Sequence, residues 1–190
     1  MPGNFIPPFT HEGLLPPFYG GDATRPTYKS PYLVDPIAII ERFAFSKKRI
    51  EIIRGFMTLR QNLSTLGFRG HQWIGGSFVQ NKEEPNDIDV VTFFTDYPAG
   101  VTEKQLEDAY LVAPMCTSLF CDSYLIYTGP MSSSDPLDRQ SHLFKNLTYW
   151  HGLFSHTRNA TWKGMLELAL NSADDMAVHS DLLDQMEQKI

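Results

Sequence analysis

The segment Asp87-Ile88-Asp89-Val90-Val91-Thr92-Phe93-Phe94 constrains this chain more than any other. Its β-branched and aromatic residues read as a strand. In a strand, Asp87 and Asp89 share one face, roughly 7 Å apart along the chain, while Ile88 and Val90 point to the other face and into a core. Two acids backed by apolar neighbours are costly. Like charges about 4 Å apart repel by roughly 4 kcal/mol at an effective dielectric near 20, and by less when further apart. A divalent cation relieves that repulsion, because hard Mg²⁺ favours carboxylate oxygens together with phosphate and water. A solvated pair of acids at a strand edge is the plainer alternative.

Ahead of this strand stands Ile74-Gly75-Gly76-Ser77, separated from Asp87 by nine residues. Two glycines let the backbone approach a ligand closely. A helix starting near Ser77 would aim free N–H groups at an anion, with the serine hydroxyl as a further donor. Lys82 lies in the same connection and could pair with a polyphosphate. Gly-Gly-Ser alone is a common turn sequence. An anion cradle and metal-type carboxylates a short connection apart suit metal-nucleotide chemistry.

The rest of the chain sets the frame. Its 190 residues suffice for one compact α/β domain and are short for two. Eight of the 13 prolines fall in the first 36 residues, among Phe5, Phe9, Leu14, Leu15, Phe18, Tyr28 and Tyr32. Residues 1–36 therefore read as an extended arm, too aromatic for a disordered tail, that lies against the domain or a partner. Residues 37–170 form the domain and 171–190 an acidic terminal helix or tail, which carries −4 of the net −6. Asp35-Pro36 opens a helix through Phe43, and Ser46 caps a longer one to about Leu66. Further helices are expected over 102–112 and from Asp135-Pro136 to about Phe154, and a strand over 118–128. Trp162 to Leu170 reads as a strand or the start of a helix.

Charge and cysteine use limit the function classes. An acidic chain does not coat duplex DNA. The stretch from Arg42 to Arg69 nevertheless holds seven bases against one acid, Glu51, and reads as a solvated helix face or a polyanion-facing surface. No run approaches the roughly 18 apolar residues of a membrane span, and the start does not resemble a signal peptide. Cys116 and Cys121 are too few for a disulfide scaffold, so the expected compartment is the cytoplasm. The scattered histidines, His142, His151 and His156 among them, show no zinc spacing. Ser132-Ser133-Ser134 reads as a loop. Trp150, Phe154 and Trp162 are expected in the core.

The hydrophobic-Gly-Gly-Ser stretch and the Asp-hydrophobic-Asp-hydrophobic strand together resemble the signature of the nucleotidyltransferase superfamily, the polymerase-beta-like proteins. Gly13-Leu14-Leu15-Pro16-Pro17, the block from Gly76 through Lys82 and Pro85 to Val91, and Leu153-Phe154, Arg158 and Lys163-Gly164 resemble a small, largely uncharacterised bacterial family of that type. Phe18-Tyr19 departs from the expected pattern after the proline pair. The resemblance implies a single minimal domain, α/β (α+β), with a mixed central sheet flanked by helices. It also implies a third carboxylate on an adjacent strand. Asp122, inside the apolar stretch Leu119 to Tyr127, is the candidate, its alternative being an edge aspartate facing water; Asp96 falls beyond its strand. Tyr124 and Tyr127 are near enough to Asp122 to touch a nucleobase.

On this resemblance Asp87, Asp89 and Asp122 are the catalytic, metal-binding residues for Mg²⁺ or Mn²⁺. Gly75, Gly76, Ser77 and Lys82 bind the nucleotide, and Arg158 and Lys163 are secondary phosphate or acceptor contacts. The implied activity is transfer of a nucleoside monophosphate from a nucleoside triphosphate, ATP among them, to an acceptor. Small members of the superfamily imply a protein acceptor, in a toxin–antitoxin or phage-defence setting. RNA is the competing acceptor, supported by the basic 42–69 stretch. The other class of function is a non-catalytic nucleotide-binding or protein-interaction module.

Overall fold

The computed structural model describes residues 4–20, 24–25, 28–96, 98–100, 118–129, 136–171 and 176–190. The expected 102–112 helix, Cys116 and the 132–134 loop lie outside these residues.

Two capped helices open the body. Asp35 accepts from the Ala38 N–H at 2.8 Å, with Pro36 at the first helical position, and starts α1 (Pro36–Phe43). Ser46 accepts from the Arg49 N–H and starts α2 (Lys47–Thr65). Each such cap is worth about 1 kcal/mol, because it satisfies an N–H that the helix leaves unpaired. Five strands form, two of them, β1 (Tyr32–Leu33) in the expected arm and β2 (Gly70–Gly75), beyond the expected ones: the others are β3 (Ile88–Phe94), β4 (Cys121–Tyr127) and β5 (Leu166–Leu170). The other described helices are α3 (Pro136–Phe154) and α4 (Met176–Glu187).

The strands form one mixed sheet in the order β1-β5-β2-β3-β4. β1 runs parallel to β5, β2 is antiparallel to both β5 and β3, and β3 runs parallel to β4. The expected mixed sheet flanked by helices is what forms, and the 162–170 segment resolves into a strand over Leu166–Leu170.

Alternation divides the sheet residues between two faces. Ile74, Ile88, Val90, Leu166 and Leu168 face one way and pack in one core with Ile39, Phe43, Ile53 and Phe56 of α1 and α2 and Leu183 of α4. Val91, Phe93 and Met165 belong to a second core with Trp150 and Phe154 of α3. Asp89 alternates with Ile88 and Val90, so it lies on the second face, alongside α3. Among the described residues, no helix is long and apolar enough to cross a membrane.

The proline-aromatic segment is seated on its own chain. Leu15 is fully buried, its carbonyl accepts from the Gly164 N–H at 2.6 Å, and the Gly13 carbonyl accepts from the Asn81 N–H at 2.7 Å. Tyr32–Leu33 supplies the edge strand. At the other end, Asp184 and Glu187 of α4 pair with Arg54 of α2.

The basic stretch 42–69 is not a single face: Lys47 and Arg69 are exposed, but other bases are not. Arg49 and Arg60 are buried, and Arg54 is paired with α4. Arg60 donates to Gln72 and to the Ala169 carbonyl, inside the core and away from any polyanion. Trp150 and Phe154 are buried as expected, but Trp162 is 51% exposed and is not a core residue. Its ring stands 6.0 Å from that of Phe18.

Candidate active site

The site is built where β2 ends and β3 and β4 begin. Parallel pairing puts Asp89 opposite Asp122 in register, so both side chains project from the same face of neighbouring strands, about 4.8 Å apart at the backbone. Asp87 immediately precedes β3. The turn before β4 is fastened to this end of the sheet, since the Ile88 N–H donates to the Phe120 carbonyl at 2.9 Å. On its other side the turn meets α2. A Cβ on Gly55 would stand 2.0 Å from the Leu119 carbonyl oxygen, so only glycine allows this approach. Lys48 caps the Phe120 ring at 3.5 Å. The strand expected from residue 118 accordingly begins at Cys121, after a turn with Phe120 at positive φ.

Gly75 pairs with Asp89 across β2 and β3. Gly76 then turns the chain with φ +65°, and a Cβ there would lie 1.5 Å from Oδ2 of Asp89. The helix expected at Ser77 does not form; residues 76–79 make a turn in which the Gln80 N–H donates to the Ser77 carbonyl. The reason lies in α2. The buried Arg49 guanidinium donates to the carbonyls of Phe78, Gln80 and Lys82 at 3.0, 2.6 and 2.8 Å, so these groups face inward instead of forming helical bonds. Burial pushes Arg49 down to about 10, with Arg42 adding to the effect. Ser77 remains partly exposed at the turn, and Lys82 is exposed with its carbonyl tied to Arg49.

A hairpin after α3 brings two cations. The Lys163 N–H donates to the Ser155 carbonyl at 2.7 Å and the Thr157 N–H to the Thr161 carbonyl at 2.9 Å, which leaves Arg158 exposed at the tip. Lys163 is 1% exposed, and its Nζ donates to the last α3 carbonyl, that of Phe154, at 2.7 Å.

Electrostatics ties these residues together. Burial, then the Asp87 and Asp122 carboxylates, push Asp89 up to about 6, against the opposing pull of Lys163 and Arg158. Burial pushes Lys163 down to about 8, while Asp89 acts the other way. Asp87, Asp89, Asp122, Arg158 and Lys163 thus form one electrostatic unit around Asp89.

The oxygen donors suit a hard divalent cation in chemistry and charge. Among the described residues, no three His, Cys, Asp or Glu side chains form a metal-type group. Asp122 instead accepts from the Tyr124 hydroxyl at 3.0 Å, and the Tyr124 ring packs on Trp150. Tyr127 packs on Phe94. Both tyrosines are occupied in packing. Asp96 lies past the end of β3, as expected.

A family model described as a family of unknown function, DUF6932, matches residues 7–169. The chain belongs to this family. The DUF6932 match includes β1 to β4, all three carboxylates and the Arg158–Lys163 hairpin, and leaves α4 outside. No curated protein and no solved structure matches the chain. The mixed sheet and its helices have an architecture compatible with a nucleotidyltransferase-like domain.

Two contributors have no counterpart in the motif. Arg49 shapes the Gly76–Lys82 loop, and Gly55 admits the turn that launches Asp122. Arg49 had a signal, since it falls on the same apolar stripe of α2 as Ile53 and Phe56, where a charge has to be satisfied internally.

Proposed function

We propose that the protein is a metal-dependent nucleotidyltransferase that moves a nucleoside monophosphate from a nucleoside triphosphate to a hydroxyl of a protein or RNA acceptor. The observation that carries this reading is the register pairing of Asp89 with Asp122, with Asp87 close enough to raise the Asp89 carboxyl further. Three like charges at the end of a sheet are expensive for a fold, and metal-triphosphate chemistry supplies a reason for them.

Mg²⁺ or Mn²⁺ held by Asp87, Asp89 and Asp122 would neutralise the triphosphate and acidify the acceptor hydroxyl. The chain's own residues do the remaining work. The Gly75-Gly76-Ser77 backbone and the Ser77 hydroxyl hold the β- and γ-phosphates, with Lys82 reaching in from the loop. Lys163, anchored on the Phe154 carbonyl, favours the ionised form of Asp89. Arg158 contacts phosphate or acceptor from the exposed hairpin. The acceptor oxygen attacks the α-phosphorus in line, the bond to the β-phosphate oxygen breaks, pyrophosphate leaves and the hydroxyl proton passes to solvent.

One observation favours a second reading, a nucleotide-binding module without catalysis. Lys163 already offsets part of the acidic charge at Asp89. Incubation with each α-labelled nucleoside triphosphate, Mg²⁺ or Mn²⁺ and a cell lysate separates the two. Label transfer that disappears in Asp87→Ala supports the enzyme. Nucleotide binding with no pyrophosphate release supports the module.

A further inference from the structure

We infer that the groove between α3 and β2 holds the nucleoside of the triphosphate, a conclusion that rests on the transferase reading. The groove is open to solvent, spans about 770 Å³ and is lined by Trp73, Phe144, Leu147, His151, His156 and Trp162 among others. Small-molecule sites typically span about 300–1,000 Å³ and are mostly apolar with a few polar groups.

Position assigns it to the nucleotide and not to the acceptor. In the sheet order β5-β2-β3-β4, Trp73 on β2 and Asp122 on β4 lie on opposite sides of Asp89. Trp73 shares its face with Gly75, roughly 7 Å further along the strand, and Trp162 immediately precedes Lys163. The Phe154 ring covers this face of Gly75, so a triphosphate is gripped at the partly exposed Gly76-Ser77 turn. Its nucleoside reaches the groove past that ring, while the acceptor approaches on the Asp122 side.

The chemistry of the lining agrees. Among the described residues, no Asp, Glu, Lys or Arg lines it, so the matching portion of a ligand is a neutral ring and not phosphate. Trp73 is held in place: its indole N–H donates to Glu167 at 3.2 Å, and its ring meets Phe93 edge-on at 4.8 Å. Trp162 is half-exposed with Phe18 beside it, and Phe144 is 73% exposed. A stacked base would cover rings that water now touches. Thr148, His151, Ser155 and His156 are its polar members, but the exposed lining surface is mostly apolar, so stacking dominates and selectivity among bases is weak.

The full chain, ¹⁵N-labelled, tests this through its three tryptophans. Their indole N–H signals are assigned by Trp→Phe substitutions and followed during titration with adenosine, then with tripolyphosphate and Mg²⁺. Adenosine is expected to move the Trp73 and Trp162 signals and leave that of the buried Trp150. Trp162→Ala and Phe144→Ala are expected to weaken adenosine about tenfold and leave tripolyphosphate binding unchanged. No adenosine binding, movement of Trp150 alone, or unaltered affinity in both variants overturns the assignment. Movement of Trp162 with protein concentration in place of adenosine would give the groove to a second copy of the chain, and also overturns it. Label transfer with a groove indifferent to adenosine sinks this assignment alone. A responsive groove without tripolyphosphate binding or label transfer sinks the transferase reading.

Discussion

Oδ2 of Asp89 occupies the space next to Gly76 where any other residue would carry its Cβ, at 1.5 Å from the ideal Cβ position. The turn that carries the candidate phosphate-binding backbone is thereby locked against the central carboxylate. Gly76→Ala combines left-handed strain with a direct clash, so Asp89 or the turn has to move. The expected result is a folded protein destabilised by about 1–3 kcal/mol, with label transfer reduced at least a hundredfold. Denaturant unfolding and the transfer assay check the two parts separately.

Asp89 also makes stability depend on pH. Its carboxyl lies at about 6 in the fold against an ordinary 3.8, so the folded state holds the proton more tightly than the unfolded chain. The associated stability is fully present below the unfolded value and is lost as pH rises through the folded one. Asp89→Asn should therefore stabilise the protein by about 1–2 kcal/mol above pH 7, while losing activity. That advantage should vanish near pH 4. Thermal unfolding at the two pH values measures it, and added Mn²⁺ should raise the melting temperature of the wild type only.

Arg49 has its guanidinium satisfied by three loop carbonyls. Arg49→Met would leave those carbonyls without their charged donor, at a cost of about 2–4 kcal/mol. Triphosphate binding should weaken with it. Arg49→Lys should recover only part of the loss, because an ammonium cannot reproduce the planar fork. Urea unfolding and calorimetry of tripolyphosphate binding give the two readouts.

The contact between α4 and α2 is of another kind. Asp184 and Glu187 are exposed and Arg54 is partly so, so Arg54→Ala should cost about 0–1 kcal/mol, less in high salt. Hydrogen exchange should quicken in α4 and stay unchanged in β3. Transfer activity should persist, since the family match ends before this helix.

Much of this site was legible in the sequence because strand alternation is local. Once Ile88 to Phe94 is a strand, the face of Asp89 follows, and Asp122 needs only a parallel neighbour in register to join it. The caps at Asp35 and Ser46 are equally local, and both helices start where those residues stand. What escaped depends on contacts distant along the chain. Arg49 turns the Ser77 segment inward from 28 residues away, and so replaces a helix start by a turn. Arg60 reads as part of a basic face until Gln72 and the Ala169 carbonyl are brought to it by the sheet. Trp162 has the composition of a core residue but sits at the rim of a groove whose other wall is α3.

The most direct measurement is label transfer by Asp122→Asn, with its fold verified by circular dichroism and thermal unfolding. The variant keeps the shape of the side chain and removes one carboxylate from the edge of the cluster. Native-like folding with transfer abolished is the predicted result. A well-folded Asp122→Asn protein that transfers label at the wild-type rate would contradict the three-carboxylate centre.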